Sequence, residues 1–195
     1  MTILLILNCK NKVSDIRYYP NNLIKSTKNI KEIDLDSIPL NFKEITDLVR
    51  KTKNEKKNLS IEINDNGITK KIIPYVYNGG LIKERNILHL KYDSILIDNG
   101  YLITELKPIL KRHYTNNGKN YRYSDSPKRA IVELNIDTNK TGTDLKKILI
   151  NLTRTFDEVK SEVKDSIELR LIFNYFRRNP PPPSPPTPIE LEKKK

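Results

Sequence analysis

Two stretches of this chain hold residue types that could do chemistry. In residues 111–129, KRHYTNNGKNYRYSDSPKR, the cations Lys111, Arg112, Lys119, Arg122, Lys128 and Arg129 meet a single acid, Asp125, for a net charge of +5. Tyr114, Tyr121 and Tyr123 are interleaved with them. Cations so spaced can hold phosphates while tyrosines stack on bases. Residues 61–110, by contrast, carry six cations and six anions, so the positive charge is not spread evenly. The second stretch, YDSILIDNGYLITELK, places Asp93 ahead of Glu105, with Lys107 two residues further on. Two carboxylates meeting across a hairpin can hold a divalent cation, and a lysine beside them can position or activate a water. On a strand, Glu105 and Lys107 would share one face.

That second pattern resembles the PD-(D/E)xK nuclease family, in which an Asp opening one strand meets a (D/E)xK on its hairpin partner. The resemblance implies Mg²⁺ held by Asp93 and Glu105, with Lys107 as the catalytic, water-positioning residue and Glu44 as an upstream carboxylate. It covers 16 residues of the chain. Tyr92 stands where the family has a proline, and Pro108 follows the lysine directly.

Other chemistry is sparse. Neither GxxxxGK[ST] nor GxGxxG occurs, so no glycine-rich phosphate cradle is expected. Cys9, His89 and His113 fall short of a structural zinc set, and one cysteine excludes an internal disulfide framework. His89, within ILHLKY, reads as a satisfied strand histidine. His113, beside Arg112, reads as part of the basic stretch, its proton affinity lowered by the like charge. Near the C-terminus, Arg177-x-x-Pro180-x-x-Pro183 has the spacing of an SH3-binding peptide, with Pro186 further along the same run. Ser184-Pro185 and Thr187-Pro188 are candidate phosphorylation sites.

These residues must be positioned by the elements around them. Asn66-Gly67, Asn78-Gly79, Asn99-Gly100 and Asn117-Gly118 are pairs that tolerate the positive φ of tight hairpin turns. Between them lie runs rich in Ile, Leu, Tyr and Thr, which predicts an antiparallel β-meander over about 59–127. In it, 86–97 and 101–114 are two long arms, and 119–123 returns across Asn117-Gly118 as a projecting basic hairpin. A helix over 41–55 opens with Asn41 and has Glu44 three residues later, a capping box. A longer helix over 143–164 is marked by Leu145, Ile148, Leu149, Leu152, Phe156, Val159 and Val163 on one face. Strands over 129–137 and 167–176 flank it, and residues 2–8 form a further strand candidate. The expected fold is therefore α+β: a single domain over 1–178, with the meander and a strand–long helix–strand unit at about 128–176. Seven prolines within 180–188 predict an extended tail over 179–195.

The whole chain has 195 residues and a net charge of +12. Lys and Ile number 26 each and Asn 21, while Ala130 is the sole alanine and glutamine is absent. AT-rich codons give this bias, so part of the basicity reflects composition and not binding. The apolar run at 3–7 is too short for a membrane span or a signal-peptide core, so a soluble protein is expected, intracellular or within a virion. The favoured expectation is a non-enzymatic structural or adaptor component of a large assembly, a phage or viral particle or a ribonucleoprotein. It would dock on protein subunits, and on nucleic acid, through the basic hairpin and the tail, without a cofactor. The alternatives are the Mg²⁺-dependent nuclease above and a free nucleic-acid-binding regulator.

Overall fold

A computed structural model describes residues 15–23, 29–76, 81–163 and 166–175. In chain order its elements are β1 (Asp15–Tyr19), β2 (Ile30–Asp34), α1 (Phe42–Asn54), β3 (Asn58–Asp65), β4 (Ile68–Ile72), β5 (Ile87–Leu90), β6 (Ser94–Leu96), β7 (Tyr101–Leu102), α2 (Leu106–Thr115), β8 (Ile131–Ile136), α3 (Gly142–Glu162) and β9 (Leu171–Tyr175). The fold is α+β. One sheet has the order β1-β4-β3-β2 and the other β7-β6-β5-β8-β9. Each sheet contains a parallel pair joined by a helix: β2 and β3 through α1, and β8 and β9 through α3. Among the described residues no helix is long and apolar enough to cross a membrane. The strand candidate at 2–8, the Asn78-Gly79 turn and the tail at 179–195 lie outside the described residues.

Both expected helices form, for the reasons their sequences give. The Asn41 side chain accepts from the Glu44 backbone N–H at 2.9 Å, and Glu44 returns the bond to the Asn41 N–H at 2.9 Å. Thr141 and Asp144 make the same box on α3. Such boxes satisfy backbone donors that a helix start leaves without partners. Leu145, Ile148, Leu149, Leu152, Phe156 and Val159 are all buried, so the apolar stripe of α3 is its core face. Burying each of these side chains contributes roughly 1.5–3 kcal/mol.

The meander is only partly present. Asn66-Gly67 joins β3 to β4 as expected, with φ of 52° and 86°. The turn holding Asn99-Gly100 joins β6 to β7, with Asp98 at φ 54° and Gly100 at φ 85°. The two hairpins, however, belong to different sheets, and the arm expected over 101–114 is not a strand. It becomes the two residues of β7, a 3-10 turn (Ile103–Glu105) and α2. Leu106, Ile109, Leu110, His113 and Tyr114 are buried at helical spacing. Pro108 lies in the first turn, where its missing N–H costs no helical hydrogen bond. Asn117 and Gly118, at φ 46° and 76°, end that helix and turn no hairpin. The expected basic hairpin is thus a helix end followed by a folded loop.

The two helix units also meet. The Phe42 N–H donates to Lys140 O at 2.7 Å, and the Gly142 N–H donates to Leu40 O at 2.9 Å. Each helix start therefore lends its first donor to the chain entering the other. The sequences echo one another: Ile30-x-Glu32-Ile33-x-Leu35-Asp36 leads to Asn41, as Ile131-x-Glu133-Leu134-x-Ile136-Asp137 leads to Thr141. Ile33, Leu35, Leu134 and Ile136 all lie in the shared core.

Candidate functional site

The loop from Asn116 to Ala130 carries most of the cations singled out in the sequence, and two buried asparagines give it its shape. The Asn116 side-chain NH₂ lies 2.9, 3.1 and 2.9 Å from the carbonyls of Asn120, Tyr123 and Ser124, and its oxygen accepts from the Asn120 N–H at 2.9 Å. The oxygen of Asn86, just before β5, accepts from Ser124 Oγ at 3.1 Å and from the Asp125 N–H at 2.9 Å. The loop is thereby fixed against the amino end of the second sheet.

This packing changes the part each tyrosine can play. Tyr114 is fully buried: its hydroxyl donates to Glu168 O at 3.0 Å and its ring meets Phe156 at 5.6 Å. Tyr123 is buried too, with Arg112 stacked 4.6 Å over its ring. Neither can stack on a base, which corrects the expectation for both. Tyr121 remains 70% exposed. Its hydroxyl accepts from Arg122 Nε at 2.9 Å, and Arg122 is clamped to Asp98 at 2.6 Å.

The cations divide into two groups. Lys107 pairs with Glu158 and Glu162 at 2.9 Å, and Lys111 pairs with Glu162 at 2.8 Å, so both lysines of α2 are neutralised by α3. These lysines hold the Glu162 carboxyl down at about 2. At the amino ends of β5, β8 and β9, positive charge is in excess. Lys83, Arg85 and Arg129 all converge on Asp125. Partial burial works to raise that carboxyl, but the cations outweigh it and hold it below the ordinary value. Lys119 and Lys128 are exposed and have no carboxylate partner among the described residues. Lys83, Lys128, Arg129 and Arg170 line a groove of about 380 Å³ together with the apolar Leu81, Ile82 and Ile131. Arg170 donates to Pro127 O at 3.2 Å, while its buried Nε has no hydrogen-bond partner among the described residues. Lys83, Arg85 and Arg170 stand far from 111–129 in sequence, and only the sheet brings them there. Nothing in their local sequence signals it.

The nuclease arrangement is not assembled. Asp93 follows β5, where its carbonyl accepts from the Ile103 N–H at 2.9 Å and its carboxylate from Ser94 Oγ at 3.0 Å. Glu105 ends the 3-10 turn at the N-cap position of α2, where its side chain makes no capping hydrogen bond, and Lys107 lies on the helix. Residues two apart on a helix do not face each other, so the shared strand face expected for Glu105 and Lys107 is lost. Lys107 is turned to Glu158 and Glu162, and Glu44 is occupied in its capping box. No group of three or more His, Cys, Asp or Glu suited to a metal ion occurs among the described residues.

His89 is satisfied in its strand, with Nδ1 3.0 Å from Glu133 and Nε2 2.6 Å from Glu84. Those carboxylates, Glu133 foremost, raise its pKa. His113 is buried beneath the loop, and desolvation pulls it down to about 4, a different cause from the like charge expected of Arg112. Cys9, Arg177, Pro180, Pro183, Pro186 and the Ser-Pro and Thr-Pro pairs lie outside the described residues.

Elsewhere, a buried ionic cluster escaped sequence reasoning. Lys70 Nζ, 1% exposed, pairs with Asp65 at 2.8 Å and donates to Thr153 Oγ1 at 2.9 Å. Arg154 grips both oxygens of the same carboxylate. This cluster ties the β3–β4 hairpin to α3. Compared with known proteins, the chain matches no family model, and neither the curated proteins nor the solved structures searched include a match.

Proposed function

We propose that this chain is a non-enzymatic docking component of a nucleic-acid-containing assembly, a viral particle or a ribonucleoprotein, and that it seats on the phosphate backbone through the basic end of its second sheet. One observation carries the reading. Lys83, Arg85, Lys128, Arg129 and Arg170 gather at one sheet end, where Lys83, Arg85 and Arg129 share the acid Asp125, whereas the lysines of α2 are matched by glutamates. Surface cations kept only for solubility need no such segregation. Cations that release counterions from a phosphate backbone do need to be gathered, and their binding weakens steeply with salt. The Pro-rich sequence of 179–195 would be a second attachment, to a protein neighbour.

The test is a salt titration of oligonucleotide binding, read by fluorescence anisotropy, for the native chain and for Lys128→Gln/Arg129→Gln. The native chain is expected to bind, with log K falling linearly against log salt concentration. The double variant should show a shallower slope, by about 0.7–0.9 for each phosphate that is no longer neutralised. Absence of binding at low salt, or a slope that the variant leaves unchanged, refutes the reading.

A further inference from the structure

We infer that the nucleic acid seated here is single-stranded, with a base stacked on Tyr121 and the backbone following a cationic track along the amino edge of the second sheet; this rests on the docking reading above.

The track follows from topology. β5, β8 and β9 are parallel and adjacent, so Asn86, Ala130 and Arg170, which precede them, share one edge of the sheet. β6 runs antiparallel to β5, with Leu96 opposite His89, which returns Asp98 to that same edge. Arg122 is clamped to Asp98, so Tyr121 stands at the β6 end of the edge. Moving across it, Arg85 and Lys83 flank Asp125 near β5, Lys128 and Arg129 precede β8, and Arg170 precedes β9. At the ordinary strand spacing, the distance from β6 to β9 is about 14 Å.

Three features favour a single strand over a duplex. Tyr121 is exposed yet held by its bond to Arg122, so little motion is lost when a base stacks on it. Leu81, Ile82 and Ile131 add an apolar lining to the groove, with Leu81 fully exposed, which suits unpaired bases and offers nothing to a second phosphate strand. On α2, Lys107 and Lys111 are tied to α3 and Arg112 is stacked on Tyr123, so this helix offers little unengaged basic surface to a major groove.

The experiment compares fluorescein-labelled dT12 and U12 with a 12-base-pair duplex, using the full chain and Tyr121→Ala, Tyr121→Phe and Lys128→Gln. The single strands are expected to bind at least ten times more tightly than the duplex. Tyr121→Ala should weaken single-strand binding between about 5-fold and 100-fold. Tyr121→Phe, which keeps the ring, should retain most of it. Lys128→Gln should weaken both forms. A duplex bound as tightly as the single strands, or a Tyr121→Ala variant that binds dT12 normally, overturns the inference and leaves the docking reading standing. No binding to any probe overturns both.

Discussion

Asn41 and Thr141 lie opposite each other as an antiparallel bridge, and each is the N-cap of its own helix. Around them the Phe42 N–H reaches Lys140 O and the Gly142 N–H reaches Leu40 O. Two units of like sequence and like topology thus share their helix starts, and this junction joins one sheet system to the other. At Gly142 the crossing is close, since a Cβ there would lie in contact with Leu40 O at 3.4 Å.

Thr141→Ala and Asn41→Ala should each lower unfolding free energy by about 1 kcal/mol. Because the two caps meet, the double variant should depart from the sum of the single effects by about 0.5 kcal/mol or more. Urea unfolding of the four proteins measures this. Strict additivity would mean that the bridge is incidental.

The buried cluster gives a larger effect. Asp65→Asn would leave Lys70 enclosed without a counter-charge, and should destabilise by about 3–5 kcal/mol. Arg154→Ala, which keeps the Lys70–Asp65 pair and removes a half-exposed partner, should cost far less. Equal destabilisation in denaturant titrations would contradict this ranking.

Stability should also respond to pH at two places. The Arg154 hydrogen bonds, aided by Lys70, lower the Asp65 carboxyl to about 2. Its contribution, about 2 kcal/mol, is present in full above the ordinary carboxylate value and is lost progressively as pH falls from there through about 2. His113 works over a milder range. Its folded value of about 4 lies below the unfolded 6.5, so the stability of its neutral form is full above 6.5 and declines as pH falls towards 4. His113→Leu should flatten the profile between those values while leaving the region below 4 to Asp65. A profile unchanged by the substitution would show that His113 is not desolvated as described.

Some of this was legible in the sequence. Asn41 with Glu44, and the stripe from Leu145 to Val159, announced their helices because caps and periodicity act locally. Asn117-Gly118 misled, since positive φ serves a helix end as well as a hairpin. Pro108, which fits the first turn of a helix, could have signalled α2, on which Leu106 to Tyr114 supply the buried face, but the strand reading passed over it. The candidate site was half visible. Lys128 and Arg129 sit in the basic segment, but Lys83 and Arg170 reach it only through parallel pairing over long sequence separations. Tyr114 and Tyr123 looked like stacking residues because burial depends on the tertiary packing around Phe156 and Asp98.

Removing residues 179–195 tests the second attachment. Thermal unfolding should be unchanged, while recovery of the chain in native particles on fractionation should drop. Normal incorporation of the shortened chain would remove the tail from the account.

The central claim is met most directly by the salt dependence of oligonucleotide binding, measured on the native chain beside Lys128→Gln/Arg129→Gln. Tight binding at low salt, with a slope made shallower by the two substitutions, is the expected result. A native chain that ignores nucleic acid at low salt, or binds it with a slope indifferent to these two residues, would contradict it.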